Sequence, residues 1–90
     1  MDKIGGKWKS VILFRLLSGP LRFGELRRAL CKITQRTLTQ QLRELEADGL
    51  VSREVFAQVP PRVDYALTPL GRTLEPVLQS LMAWGQAHAL

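Results

Sequence analysis

Apolar residues recur at helical spacing from the start of the chain. In residues 7–18 (KWKSVILFRLLS), Trp8, Val11, Ile12, Leu13, Phe14, Leu16 and Leu17 leave almost no polar face. A helix of this kind needs cover on most sides, from its own domain or from a second subunit. Ser18-Gly19-Pro20 ends it, because glycine closes helices readily and proline cannot continue one. Leu21 and Arg22 read as a minimal strand. Phe23 to Leu30 read as a short helix with Phe23, Leu26 and Leu30 inward and Arg27 and Arg28 outward. Cys31-Lys32-Ile33 forms a tight link, and Thr34 suits the N-cap of a further helix.

That further helix, from about Gln35 to Asp48, has the clearest periodicity. Leu38, Leu42 and Leu45 fall at i, i+4 and i+7, on one face, and Gly49 supplies a left-handed stop. Segments 50–56 (LVSREVF) and 62–68 (RVDYALT) read as a hairpin with Val51, Val55, Val63, Tyr65 and Leu67 alternating inward. Pro60 and Pro61 stiffen the loop of residues 57–61. Thr68-Pro69 is an N-cap followed by proline at the first helical position. From there Leu70, Leu74, Val77, Leu81, Trp84 and His88 form a stripe through residues 69–88, with a kink or break expected at Pro76. The order helix–helix–helix–hairpin–helix predicts a mainly α fold with a small β-hairpin (α+β). It is a winged helix-turn-helix occupying residues 1–90 as one domain, with the helix-turn-helix at 23–48 and the wing at 50–68.

Charge sharpens this picture. Residues 22–43 hold six basic residues, Arg22, Arg27, Arg28, Lys32, Arg36 and Arg43, against the single acid Glu25. The other 68 residues hold seven of each sign, so the net charge of +5 belongs to one helical segment. Such a focus suits a polyanion such as double-stranded DNA, although a charge run taken alone equally describes a solvated face. Acids Glu44, Glu46 and Asp48 crowd the end of the helix, confining its positive charge to the first turns.

A helix in the major groove reads base edges with its N-terminal part, while the preceding helix rests on the backbone. Gln35, Arg36, Thr39, Gln40 and Arg43 have the matching chemistry. Arginine pairs bidentately with guanine, glutamine with adenine, and the threonine methyl suits that of thymine. Arg27, Arg28 and Lys32, with the hydroxyls of Thr34 and Thr37, are expected on phosphates, setting register without reading sequence. Arg53 and Arg62 flank the loop of the wing, and Arg62 is expected to enter the adjacent minor groove.

The runs IGGKW (4–8), GPLRFGELRRAL (19–30), RTLTQQLRELEADGLVSREVF (36–56) and VPPRVDYALTPLGRTLEPVL (59–78), with a closing AWG, resemble the HxlR-type, MarR-like family of bacterial winged-helix transcriptional regulators. The resemblance spans nearly the whole chain. It implies a homodimeric repressor or activator, often answering to electrophiles or oxidants; paired recognition helices then point to a pseudo-palindromic operator, and the single cysteine fits a reducing, cytoplasmic setting. It also implies a dimer interface from the first and last helices, which draws in Trp8, Ile12, Leu74, Val77, Leu81 and Trp84. Many members carry a sensor cysteine shortly before IGGKW. Here only Met1-Asp2-Lys3 precede that run, so that role finds no residue to fall on.

The remaining chemistry is sparse. Cys31 is the only cysteine, which excludes an intrachain disulfide. Flanked by Arg28 and Lys32, it is either a redox sensor or an unreactive small residue in a turn. One histidine, one cysteine and scattered acids do not assemble a metal site, and no cofactor is expected. Trp8 and Trp84 read as aromatic anchors of a dimer core ahead of the walls of an effector pocket. Neither a nucleophile–base pair nor a phosphate-cradling glycine loop is present, so an enzyme is not expected. No run approaches the ~20 apolar residues of a membrane span, and the N-terminus lacks a signal peptide's apolar stretch. The readings competing with a sequence-specific regulator are a winged helix used for protein contacts and a non-specific architectural DNA protein.

Overall fold

The computed structural model of the chain describes the backbone of residues 3–87 and the side chains of residues 8–84. Helix α1 (Lys3–Leu16) leads through a turn to strand β1 (Leu21–Arg22), then to α2 (Phe23–Leu30) and α3 (Gln35–Ala47). Strands β2 (Val51–Phe56) and β3 (Arg62–Leu67) form the hairpin, followed by α4 (Pro69–Arg72) and α5 (Glu75–Ala87). The three strands make one antiparallel sheet in the order β1-β3-β2. Leu21 and Arg22 pair with Tyr65 and Asp64, which ties the sheet to the front of α2. On the other edge Val51 faces Leu67 and Phe56 faces Arg62, leaving residues 57–61 as the wing tip.

One core joins these parts. Ile12, Leu13 and Leu16 from α1 meet Leu26 and Leu30 from α2, Leu38, Leu42 and Leu45 from α3, Val51 and Leu67 from the sheet, and Leu78 from α5. Ile33, in the turn between α2 and α3, is also buried and pins that turn to the core. Helix α1 begins ahead of the apolar run, at Lys3. Gly5 and Gly6 lower helix propensity by about 1 kcal/mol each, which the apolar turns that follow offset.

Three expectations change. Val55 is 57% exposed, because the far half of the hairpin runs past the core and leaves nothing for that face to cover. The C-terminal stripe is not one face: the helical path breaks at Thr73-Leu74, and Pro76 lies in the first turn of α5, where its missing N–H costs nothing. The break resets the phase, so Leu78 is buried while Leu70, Val77, Leu81 and Trp84 are exposed. His88 lies outside the described residues. Ile12, expected on the dimer face, is fully enclosed in the core of its own chain and has no surface to offer a second subunit.

The junction between α3 and β2 is fastened to the junction between β3 and α4. Helix α3 ends in a Schellman turn: Leu50 N–H donates to Leu45 O, Gly49 N–H donates to Glu46 O, and Gly49 takes φ 78°. Thr68 then donates its hydroxyl to Gly49 O at 2.6 Å and its N–H to Leu50 O at 3.1 Å. The same Thr68 Oγ1 accepts from Gly71 N–H at 3.0 Å as the cap of α4. One threonine thereby holds the end of α3, the root of the wing and the start of α4 together. The architecture is a winged helix-turn-helix.

Candidate nucleic-acid interface

The helix-turn-helix owes its shape to local hydrogen bonds backed by buried leucines. Glu25 Oε1 reaches back to accept from Arg22 N–H at 2.8 Å, satisfying a donor at the start of α2. At the other end Lys32 N–H donates to Leu30 O across Cys31. Cys31 takes φ 48° and ψ −61°, a γ-turn of the rare positive-φ kind that is strained for any residue with a Cβ. Thr34 caps α3, its Oγ1 accepting from Thr37 N–H at 3.1 Å and donating to Thr37 Oγ1 at 2.9 Å. The two threonine hydroxyls expected on phosphates therefore also serve the start of the helix.

Leu38, Leu42 and Leu45 seat α3 on the core. On the opposite side Gln35, Arg36, Thr39, Gln40 and Arg43, the five residues expected to read bases, line one shallow concavity. Thr39 donates its hydroxyl to Gln35 O at 2.9 Å, so the helix already uses that hydrogen. Gln40 Nε2 donates to Glu44 Oε2 at 3.3 Å, and Glu44 Oε1 pairs with Lys9 Nζ of α1 at 2.7 Å. The hydrogen bond from Lys9, with a smaller contribution from Gln40, holds the Glu44 carboxyl below the usual carboxylate range. Gln41 is buried beside the leucines, and its Oε1 accepts no hydrogen bond among the described residues.

The cations divide into two groups. Among the described residues Arg22, Arg27, Arg28, Lys32, Arg36 and Arg43 of the helix-turn-helix, with Arg15 and Arg72 elsewhere, are exposed and form no ion pair. Lys9, Arg53 and Arg62 each have an acid: Glu44, Glu46 at 3.7 Å, and Asp64. Arg62 is held most firmly. Its Nε and Nη2 donate to the two carboxylate oxygens of Asp64 at 3.0 and 3.1 Å, and its guanidinium lies over Phe56, 5.4 Å from the ring centre. The Asp64 hydrogen bonds raise the Arg62 pKa, and those from Arg62 hold the Asp64 carboxyl below its ordinary value. An arginine forked onto a carboxylate and stacked on a ring is not a free arm. Entry of Arg62 into a minor groove would exchange this partly exposed pair for contacts to DNA, while the wing tip itself presents Val59, almost fully exposed. Sequence reasoning passed over Asp64, although residues two apart on a strand share a face. Glu44 was legible only as one of the acids at the end of the helix; of its pairing with Lys9 and Gln40, only the Gln40–Glu44 spacing of four was visible in the chain.

Cys31 is exposed, and its Sγ lies 3.5 Å from Arg28 O, a weak hydrogen bond. Among the described residues no three His, Cys, Asp or Glu side chains come together as metal ligands, and no helix is long and apolar enough to cross a membrane.

With three helices, a wing and a cation-lined α3 in place, known proteins give the class. The HxlR-like helix-turn-helix family matches residues 3–90, and the chain belongs to it. Among its relatives is the uncharacterized HTH-type transcriptional regulator YybR of Bacillus subtilis, 54% identical over 88 residues, covering 98% of this chain and 70% of YybR. YdeP of the same organism is 56% identical over 88 residues, covering 98% and 69%. Among solved structures, the redox regulator HypR in its oxidized form superposes with a TM-score of 0.88 at 56% identity, covering 96% of this chain and 89% of that one. Its reduced form gives 0.88 at 55%, covering 98% and 87%.

Proposed function

We propose that the protein is a dimeric, sequence-specific DNA-binding transcriptional regulator acting in the bacterial cytoplasm. The observation that carries this reading is a coincidence in space. Two unpaired cations of the helix-turn-helix, Arg36 and Arg43, line the concavity with Gln35, Thr39 and Gln40, whereas Lys9 of α1 and Arg53 and Arg62 of the wing each have an acid beside them. In the proposed complex α3 enters the major groove, and Arg27, Arg28 and Lys32 bind phosphates. The wing rests near the minor groove through its apolar tip.

Substitutions on the two sets should act differently. Arg36→Ala is expected to weaken operator binding by at least about 1 kcal/mol and to relax base preference at one position. Arg28→Ala should weaken operator and random DNA alike and reduce the slope of log K against log salt by about 1. Titrations of both variants against both DNAs at several salt concentrations check this. Equal effects of the two substitutions on both DNAs would favour the architectural reading, and no DNA affinity at all would favour a protein partner.

The dimer is proposed to form through α1 and α5. Val77, Leu81 and Trp84 stand at i, i+4 and i+7 on an exposed face of α5, with Trp8 and Leu74 half-buried nearby in the fold. An apolar stripe of this kind marks an association surface. Two α3 helices about one DNA turn apart would then meet a pseudo-palindromic operator.

A redox input is proposed at Cys31, on the strength of its exposure, its strained turn beside α3 and the similarity to HypR, described as a redox regulator. Hydrogen peroxide, which oxidises the Cys31 thiol to a sulfenic acid and is itself reduced to water, should release the unaltered protein from its operator and leave Cys31→Ser bound, as read by fluorescence anisotropy. Equal release of both would remove Cys31 from the mechanism.

A further inference from the structure

We propose that Glu44 is a specificity-determining positioning residue that acts through Gln40 without touching a base. The proposal rests on the assignment of Gln40 to the base-reading face. Held ionised by Lys9, the Glu44 carboxylate has acceptors only. One oxygen takes the ammonium of Lys9 at 2.7 Å and the other takes Gln40 Nε2 at 3.3 Å. The Gln40 amide must therefore turn its NH2 toward Glu44, because the flipped amide would set carbonyl oxygen against carboxylate oxygen.

That choice leaves Gln40 with one free N–H and its carbonyl Oε1. Adenine in the major groove offers an N7 acceptor and an N6 donor, which this donor–acceptor pair matches. An unconstrained glutamine presents its amide either way round and loses that freedom on binding. Glu44 removes the freedom beforehand. Lys9 in turn fixes Glu44, and Lys9 sits on α1, whose Ile12, Leu13 and Leu16 are locked into the core. The packing of α1 on α3 thereby sets the orientation of a reading side chain.

The test compares the unaltered full chain with Gln40→Ala, Glu44→Ala, Glu44→Gln and the Gln40→Ala/Glu44→Ala double variant. In-vitro selection from random DNA defines the operator, and competition binding against every single-base change then gives the preference at each position. Gln40→Ala should abolish preference for adenine at one position. Glu44→Ala should lower the preference there by about three- to tenfold, the cost of ordering one flexible side chain, and leave other positions unchanged. Glu44→Gln, which keeps the shape and the fold, should act in the same direction, since its amide can face Gln40 with either group. In the Gln40→Ala background, loss of Glu44 should change no preference. Removing an acid raises affinity for all DNA alike, and that shift cancels in the ratio. Full adenine preference in both Glu44 variants would overturn the positioning role. Unchanged preference at every position in Gln40→Ala would instead overturn the base-reading assignment beneath it.

Discussion

Leu42→Ala is expected to lower the free energy of unfolding by about 3–5 kcal/mol. Leu42 is almost fully buried, midway along α3, between Leu38 and Leu45. Truncation removes apolar area from water-free contact and leaves a cavity that α1 and α2, themselves pinned by Ile12, Leu16 and Leu26, cannot close. A domain of this size has about 5–15 kcal/mol in total, so the variant would lie near the edge of stability. Urea denaturation followed by circular dichroism measures the loss. Arg43, one residue along and exposed, supplies the internal comparison: Arg43→Ala should stay within about 0.5 kcal/mol of the unaltered chain. A similar cost at both positions would mean that α3 is not seated as described.

Gly71→Ala has the second large expected effect, with a sign opposite to the one helix propensity gives. Within α4, alanine in place of glycine would ordinarily gain about 1 kcal/mol. Here Gly71 is buried against the start of β2. A Cβ at this position would collide with the Leu50 carbonyl oxygen, lie 3.2 Å from the Leu50 carbonyl carbon and sit 3.3 Å from Leu67 Cδ2. The obstacle is backbone, which cannot rotate aside, so overpacking at the upper end of about 1–3 kcal/mol outweighs the gain in propensity. Relief would also pull Gly71 N–H from Thr68 and loosen the cap of α4. A net loss of about 2 kcal/mol in the same urea experiment is expected. A stabilised variant would show that α4 can move away from Leu50 freely.

Most of this fold was written in local signals. Thr34, Gly49 and Thr68-Pro69 mark element ends because the capping bonds at those positions span only a few residues. The leucine spacing of α3 also fixed its outward face, and with it the five residues of the concavity. What the chain concealed depends on partners distant in sequence. Leu78 rather than Val77 faces the core because the break at Thr73-Leu74 rotates α5, an angle that no periodicity count across the break can supply. Val55 follows the alternation of its strand, yet the core ends before the hairpin does. Basic residues in a sequence look equivalent. Folding separates them by placing Glu44, Glu46 and Asp64 beside three and leaving those of the helix-turn-helix unpaired.

The Thr68 fastening has a mechanical consequence. By binding Gly49 and Leu50 on one side and Gly71 on the other, it removes the hinge that a short helix–strand connection would otherwise provide. Reading helix and wing then behave as the two jaws of a rigid caliper. In the proposed complex neither jaw adjusts alone to a neighbouring groove. Any tilt imposed on one subunit shifts both contact points together, so a small rotation at the far end of the molecule spoils two grips at once.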